Sequence, residues 1–200
     1  METVTRRQVE VGSASWTYSA DGKCGDLYFV EQHKDGSLIA VVYGIGHGAE
    51  AEKMAKIATS IIKDHVHESL EVLIRECHEG LRATRGAVLA LALIDTRSHC
   101  LTWTGVGNVE GKLFSRGSAP PTTLLSTPGT LGHGTIEVRP SSVHLKPGDT
   151  LILATDGVRS DFYLGLDLKK TPQELADHIL KHSAVLKKDD ALVVVARHAG

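Results

Sequence analysis

The sequence predicts two packed β-sheets with helices on their outer faces, an α+β architecture, and two observations carry that prediction. Stretches such as 89–94 (LALALI) and 192–196 (LVVVA) are apolar at every position, so strands formed there need cover on both faces. Helical patterns arrive in a block instead of after every strand. This favours sheet-on-sheet packing over the competing arrangement, one α/β sheet with helices on both faces.

The elements follow in order. Residues 26–33 (DLYFVEQH) and 37–43 (SLIAVVY) read as strands joined at Lys34-Asp35-Gly36, a hairpin signal. A glycine-rich corner, GIGHG, then opens a helix with Met54, Ala58, Ile61, Ile62 and His65 at helical spacing. A second helix carries Leu70, Leu73, Ile74, Cys77 and Leu81 on one face. Strands return at 86–95, 99–106, 110–115 and 150–155. Thr171 as N-cap, Pro172 in the first turn and Glu174 completing a capping box announce a late helix. The last strand is 191–197. Proline and glycine gather at 117–134 and 146–148, which read as surface loops, so residues 1–200 are expected to form one domain.

Composition narrows the classes of function. A net charge of −2, with scattered Lys and Arg, gives no pull toward nucleic acid. No stretch approaches the roughly 20 apolar residues that span a bilayer. The start, METVTRRQVEVG, is polar and alternating, unlike a signal peptide. Cys24, Cys77 and Cys100 are odd in number and widely spaced, as for free thiols in a reducing cytoplasm, where the protein is expected. Eleven histidines include no HExxH or Cys/His cluster. Trp16 and Trp103 read as core. GIGHGA is neither GxGxxG nor a P-loop, so nucleotide binding is disfavoured.

Acidic residues stand at strand ends in separated places. Asp26 opens a strand, Asp156 follows an apolar strand in LILATDGV, and Asp189-Asp190 precede the last one. Carboxylates on adjacent strand ends converge in space, which is how hard cations such as Mg2+ or Mn2+ are held. Each aspartate alone is equally what a turn or an exposed strand start would carry. His47 belongs to the same corner, either orienting the loop or lying near a phosphate.

Together, CGDLYFV, VVYGIGHGAEAEKMA, RGAVLALAL, GVGNVEG, ATDGVRSDF and DDALVVVAR resemble, in order and spacing, the type-2C (PPM) protein phosphatases, especially their short SpoIIE/RsbX-like bacterial branch. The likeness runs from about Asp26 to Arg197. It implies an α-β-β-α sandwich, two packed antiparallel sheets flanked by helices, with a binuclear Mg2+/Mn2+ site at one edge. It also implies hydrolysis of phosphoserine or phosphothreonine on a partner protein by metal-bound water, with no side-chain nucleophile. The implied metal positions are Asp26, Gly44 (through its carbonyl), Asp156 and Asp189, with Asp190 supporting. The implied substrate is a phosphorylated STAS-domain protein of a stressosome. The short 117–149 connection leaves little room for the flap of larger members, so specificity would come from docking between folded proteins.

One position departs. The family carries a bridging Asp immediately before the glycine that matches Gly44, and this chain has Tyr43. A phenol of ordinary pKa near 10 brings no charge to a cation at neutral pH. Val88 and Leu192, where the family often has Thr, or Thr or Ser, are lesser departures. The residue at 43 leaves two readings open: a phosphatase, or a catalytically impaired pseudophosphatase or engineered variant that binds phosphoproteins.

Overall fold

Continuous apolar strands are stable only when each alternate face finds a partner, and the computed structural model supplies that cover along residues 38–42 and 192–196, which are buried throughout. It describes residues 8–115, 120–185 and 189–199. Residues 1–7 of the polar N-terminal stretch and 116–119 of the proline/glycine-rich loop lie outside them. The elements are β1 (Val9–Trp16), β2 (Asp26–His33), β3 (Gly36–Gly44), α1 (Gly48–Asp64), α2 (Leu70–Gly80), β4 (Ala87–Asp95), β5 (Cys100–Val106), β6 (Glu110–Phe114), β7 (Thr122–Leu124), β8 (Ser141–His144), β9 (Thr150–Ala154), α3 (Pro172–Ser183) and β10 (Ala191–His198).

These make two five-stranded sheets, ordered β1-β10-β9-β6-β7 and β2-β3-β4-β5-β8. Every ladder between named strands is antiparallel. Ile39 and Val41 of β3, Ala90 and Ile94 of β4, and Leu192 and Val194 of β10 point between the sheets, around the buried Trp103. Their alternates Leu38, Ala40, Val42, Leu89 and Leu91 face outward and bury the apolar sides of α1 and α2. On the other sheet Ile152, Val193 and Val195 face Leu175, Ala176 and Ile179 of α3. Four layers result, α-β-β-α.

The strong sequence signals give the elements expected of them. Thr171 and Glu174 form the capping box, with Pro172 opening α3. Cys77 is buried, Cys24 and Cys100 are half-buried, and all three are free thiols. Trp16 corrects its expectation: it is 43% exposed, the last residue of β1, after which the chain leaves the sheet. Strands β1, β7 and β8 are additions. No helix among the described residues is long and apolar enough to cross a membrane.

Candidate metal centre

The acidic positions are brought to one edge of the sandwich by strand register. Asp26 opens β2 directly opposite Tyr43 on β3, and Tyr43 lies opposite Val88 on β4. Directly opposed residues share a face, and Tyr43 packs against the core between the sheets. Asp26 therefore points inward too, and is 7% exposed. Asp156 follows β9, and Asp189 and Asp190 precede β10, its neighbour in the other sheet. Gly157 is required there, since a Cβ would lie 1.8 Å from the Asp190 carbonyl oxygen.

Two cross-sheet contacts hold the edge together. The Thr155 hydroxyl, just past β9, donates to Asp26 Oδ2 at 2.6 Å. Asp190, buried, accepts from the backbone N–H of Tyr18 and of Gly25, each at 2.7 Å. Asp190 is thus a structural clip whose carboxylate is already used. Gly44 is pinned through its N–H to the Gly25 carbonyl at 3.0 Å and lies flush against Ala51 of α1.

Electrostatics record the crowding of negative charge. Burial pushes the Asp26 carboxyl up to about 7, with Asp190, Asp156 and Asp189 adding to the rise and the Thr155 hydrogen bond opposing it. Asp189 is raised as well, first by burial and then by Asp156 and Asp190, with His47 opposing. His47 is the N-cap residue of α1, makes no side-chain cap, and meets Tyr18 edge-on at 6.0 Å between ring centroids. Asp156 and Asp189 are the solvent-exposed pair.

Asn108 takes part without having been singled out from sequence. The tight turn between β5 and β6 presents it, and its amide nitrogen donates to Asp156 Oδ2 at 3.2 Å. The Tyr43 hydroxyl donates to Asn108 Oδ1. Tyr43, Asn108 and Asp156 thus form one hydrogen-bonded chain. The phenol is held well above its usual pKa, chiefly by burial and then by the charge of Asp156, so it stays neutral.

Among the described residues no group of three or more His, Cys, Asp or Glu side chains is placed to hold a metal ion by itself. What is present is a hard oxygen donor set, with exposed carboxylates at Asp156 and Asp189 on the edge where the Gly44 carbonyl oxygen and Asp190 Oδ2 both border Gly25. Mg2+ and Mn2+ take such sets, using one or two carboxylates and retaining water. The residues therefore fit a divalent cation.

The family described as Stage II sporulation protein E (SpoIIE) matches residues 34–199. The chain belongs to the SpoIIE family. It is a PP2C-type phosphatase domain. Within that family context it is 24% identical over 175 residues to the phosphoserine phosphatase RsbX of Bacillus subtilis (strain 168), covering 87% of each chain. The crystal structure of RsbX in complex with magnesium superposes with a TM-score of 0.85 at 22% identity, covering 94% of both chains. A structure described as "The bacterial stressosome: a modular system that has been adapted to control secondary messenger signaling" is 31% identical with a TM-score of 0.85, over 94% of this chain and 99% of that one. The catalytic domain of the serine/threonine phosphatase PstP, in complex with two manganese ions, shares 16% identity and a TM-score of 0.72, over 94% of this chain and 97% of that one. This SpoIIE-family chain thus has the PP2C fold along nearly its whole length.

Proposed function

We propose that this chain is a divalent-metal-dependent phosphatase of phosphoserine or phosphothreonine proteins, acting in the cytoplasm on a phosphorylated STAS-domain component of a stressosome. The observation that carries the reading is the gathering of Asp26, Asp156, Asp189 and Asp190, which lie far apart in sequence, at one edge of a PP2C fold. The likeness to RsbX and to a stressosome structure supports the choice of substrate.

Asp156, Asp189 and the Gly44 carbonyl would hold Mg2+ or Mn2+. When bound, such an ion supplies an acidified water and shields the phosphate oxygens. Asp26 lies behind the exposed pair, tied to the opposite sheet by Thr155. Asp190 fixes the backbone before β2. Asn108 orients Asp156.

A second reading, a pseudophosphatase that docks phosphoproteins without hydrolysing them, is favoured by the neutral Tyr43 at the position of the family's bridging Asp. Release of phosphate from a phosphoserine-bearing STAS-domain protein in Mn2+ separates the two. A phosphatase gives Mn2+-dependent release that Asp156→Asn or Asp189→Asn abolishes without unfolding the chain. Tyr43→Asp should raise turnover at least about a hundredfold, roughly 2.7 kcal/mol of barrier. No release from either form would leave the docking module as the reading.

A further inference from the structure

Binuclear hydrolytic sites set their ions about 3.5–4 Å apart, a spacing that needs an anionic group between them. Here the strand end before Gly44 carries Tyr43, which supplies no such anion. Tyr43 projects from β3 toward the acidic edge, opposite Asp26, and its hydroxyl is bonded to Asn108. Asn108 in turn holds Oδ2 of Asp156. The phenol is neutral and the amide is neutral, so the pair brings no charge to a cation while occupying both space and one carboxylate oxygen. Across from it, Asp26 is buried and has one oxygen committed to Thr155. The carboxylates open to solvent are Asp156 and Asp189, coupled to each other electrostatically. Among the described residues no third side chain joins them.

We infer that Tyr43 and Asn108 make this a one-cation centre: a single divalent ion rests on Asp156 and Asp189, and the hydrogen-bonded phenol–amide pair stands where a second ion would sit. The inference rests on the phosphatase reading only for the presence of a divalent ion. It makes Asn108 a positioning residue, acting through Asp156. Tyr43 becomes the determinant of stoichiometry.

The test counts ions directly. Mn2+ titration of the full chain by calorimetry and by electron paramagnetic resonance should give a single ion per chain with the spectrum of an isolated Mn2+. Asp156→Asn or Asp189→Asn should weaken that binding at least about tenfold, the loss of one of two carboxylate ligands. Tyr43→Phe keeps the ring and removes the hydroxyl, and should still bind one ion. Tyr43→Asp should bind two, with a spin-coupled spectrum. Two ions or a coupled spectrum in the unaltered chain would overturn the inference, as would no binding at millimolar Mn2+. So would a Tyr43→Asp variant that folds, by circular dichroism, and still takes one. If one ion binds but no phosphate is released from a phosphoserine protein, the inference stands and the proposed activity falls.

Discussion

At the scale of single residues, Asp26 makes the stability of the ion-free chain depend on pH. Its folded-state value, about 7, lies above the ordinary 3.8. Between those values the folded chain holds a proton that the unfolded chain has released, so stability falls as pH rises. The contribution is fully present below pH 3.8 and lost as pH passes through about 7. Asp189, also raised, acts with the same sign. Melting in chelator should therefore give a lower Tm at pH 8 than at pH 5, and Asp26→Asn should flatten the difference. An equal difference in the variant would place the effect elsewhere. The residues of this edge were unequally legible in the sequence. Asp156 and Asp189 stand in short motifs at strand ends, where a carboxylate is conspicuous. Asn108 and Thr155 are ordinary polar residues in ordinary contexts, and only the approach of two sheets gives them partners. Tyr43 was conspicuous as a departure, but its bond to Asn108 depends on a turn more than 60 residues away, a separation of 65.

At the scale of elements, the seam between β3 and α1 is where the site is set. Gly44 ends β3, and a Cβ there would lie 2.1 Å from the Ala51 carbonyl oxygen, which is helix backbone and cannot rotate aside. Gly44→Ala should force α1 outward and cost about 1–3 kcal/mol, typical of overpacking. A shifted denaturation midpoint at unchanged slope would show it, and an unmoved midpoint would mean that the seam is looser than described. The elements most legible in sequence were those with a regular apolar repeat, β2 to β6, β9, β10 and all three helices. β1 was missed because VEVGSASW mixes small and polar residues and carries a glycine that reads as a breaker. That glycine, Gly12, is there because α3 presses on the strand, with Gln173 N only 2.3 Å from where a Cβ would be. β7 and β8 are three and four residues long, set in proline- and glycine-rich loops, and owe their form to the strands beside them.

At the scale of the whole molecule, Asp190 joins one sheet to the entry of the other. Asp190→Ala would orphan two backbone N–H groups, of Tyr18 and of the buried Gly25. Tyr18 is exposed and its N–H can turn to water, so the loss rests mainly on Gly25, at about 1–3 kcal/mol for one unsatisfied buried donor. Asp190→Asn keeps an acceptor and should lose less. Chemical denaturation of the two variants checks the order, and equal losses would show that charge, not hydrogen bonding, is what the clip supplies. The span of these contacts also sets a timetable. Asp190 reaches back 165 residues to Gly25, and Thr155 reaches back 129 to Asp26. The strand that follows Asp190, β10, lies between β1 and β9, so the sheet containing β1 cannot close before β10 is synthesised. The sheet of β2 to β5 and β8, with α1 and α2, is complete in sequence by His144. On the ribosome, at about 5–20 residues per second, the half carrying Tyr43 waits several seconds for the half carrying Asp156 and Asp189. During that interval the nascent chain exposes the apolar face of a finished sheet, and the edge that carries Tyr43 still lacks Asp156 and Asp189.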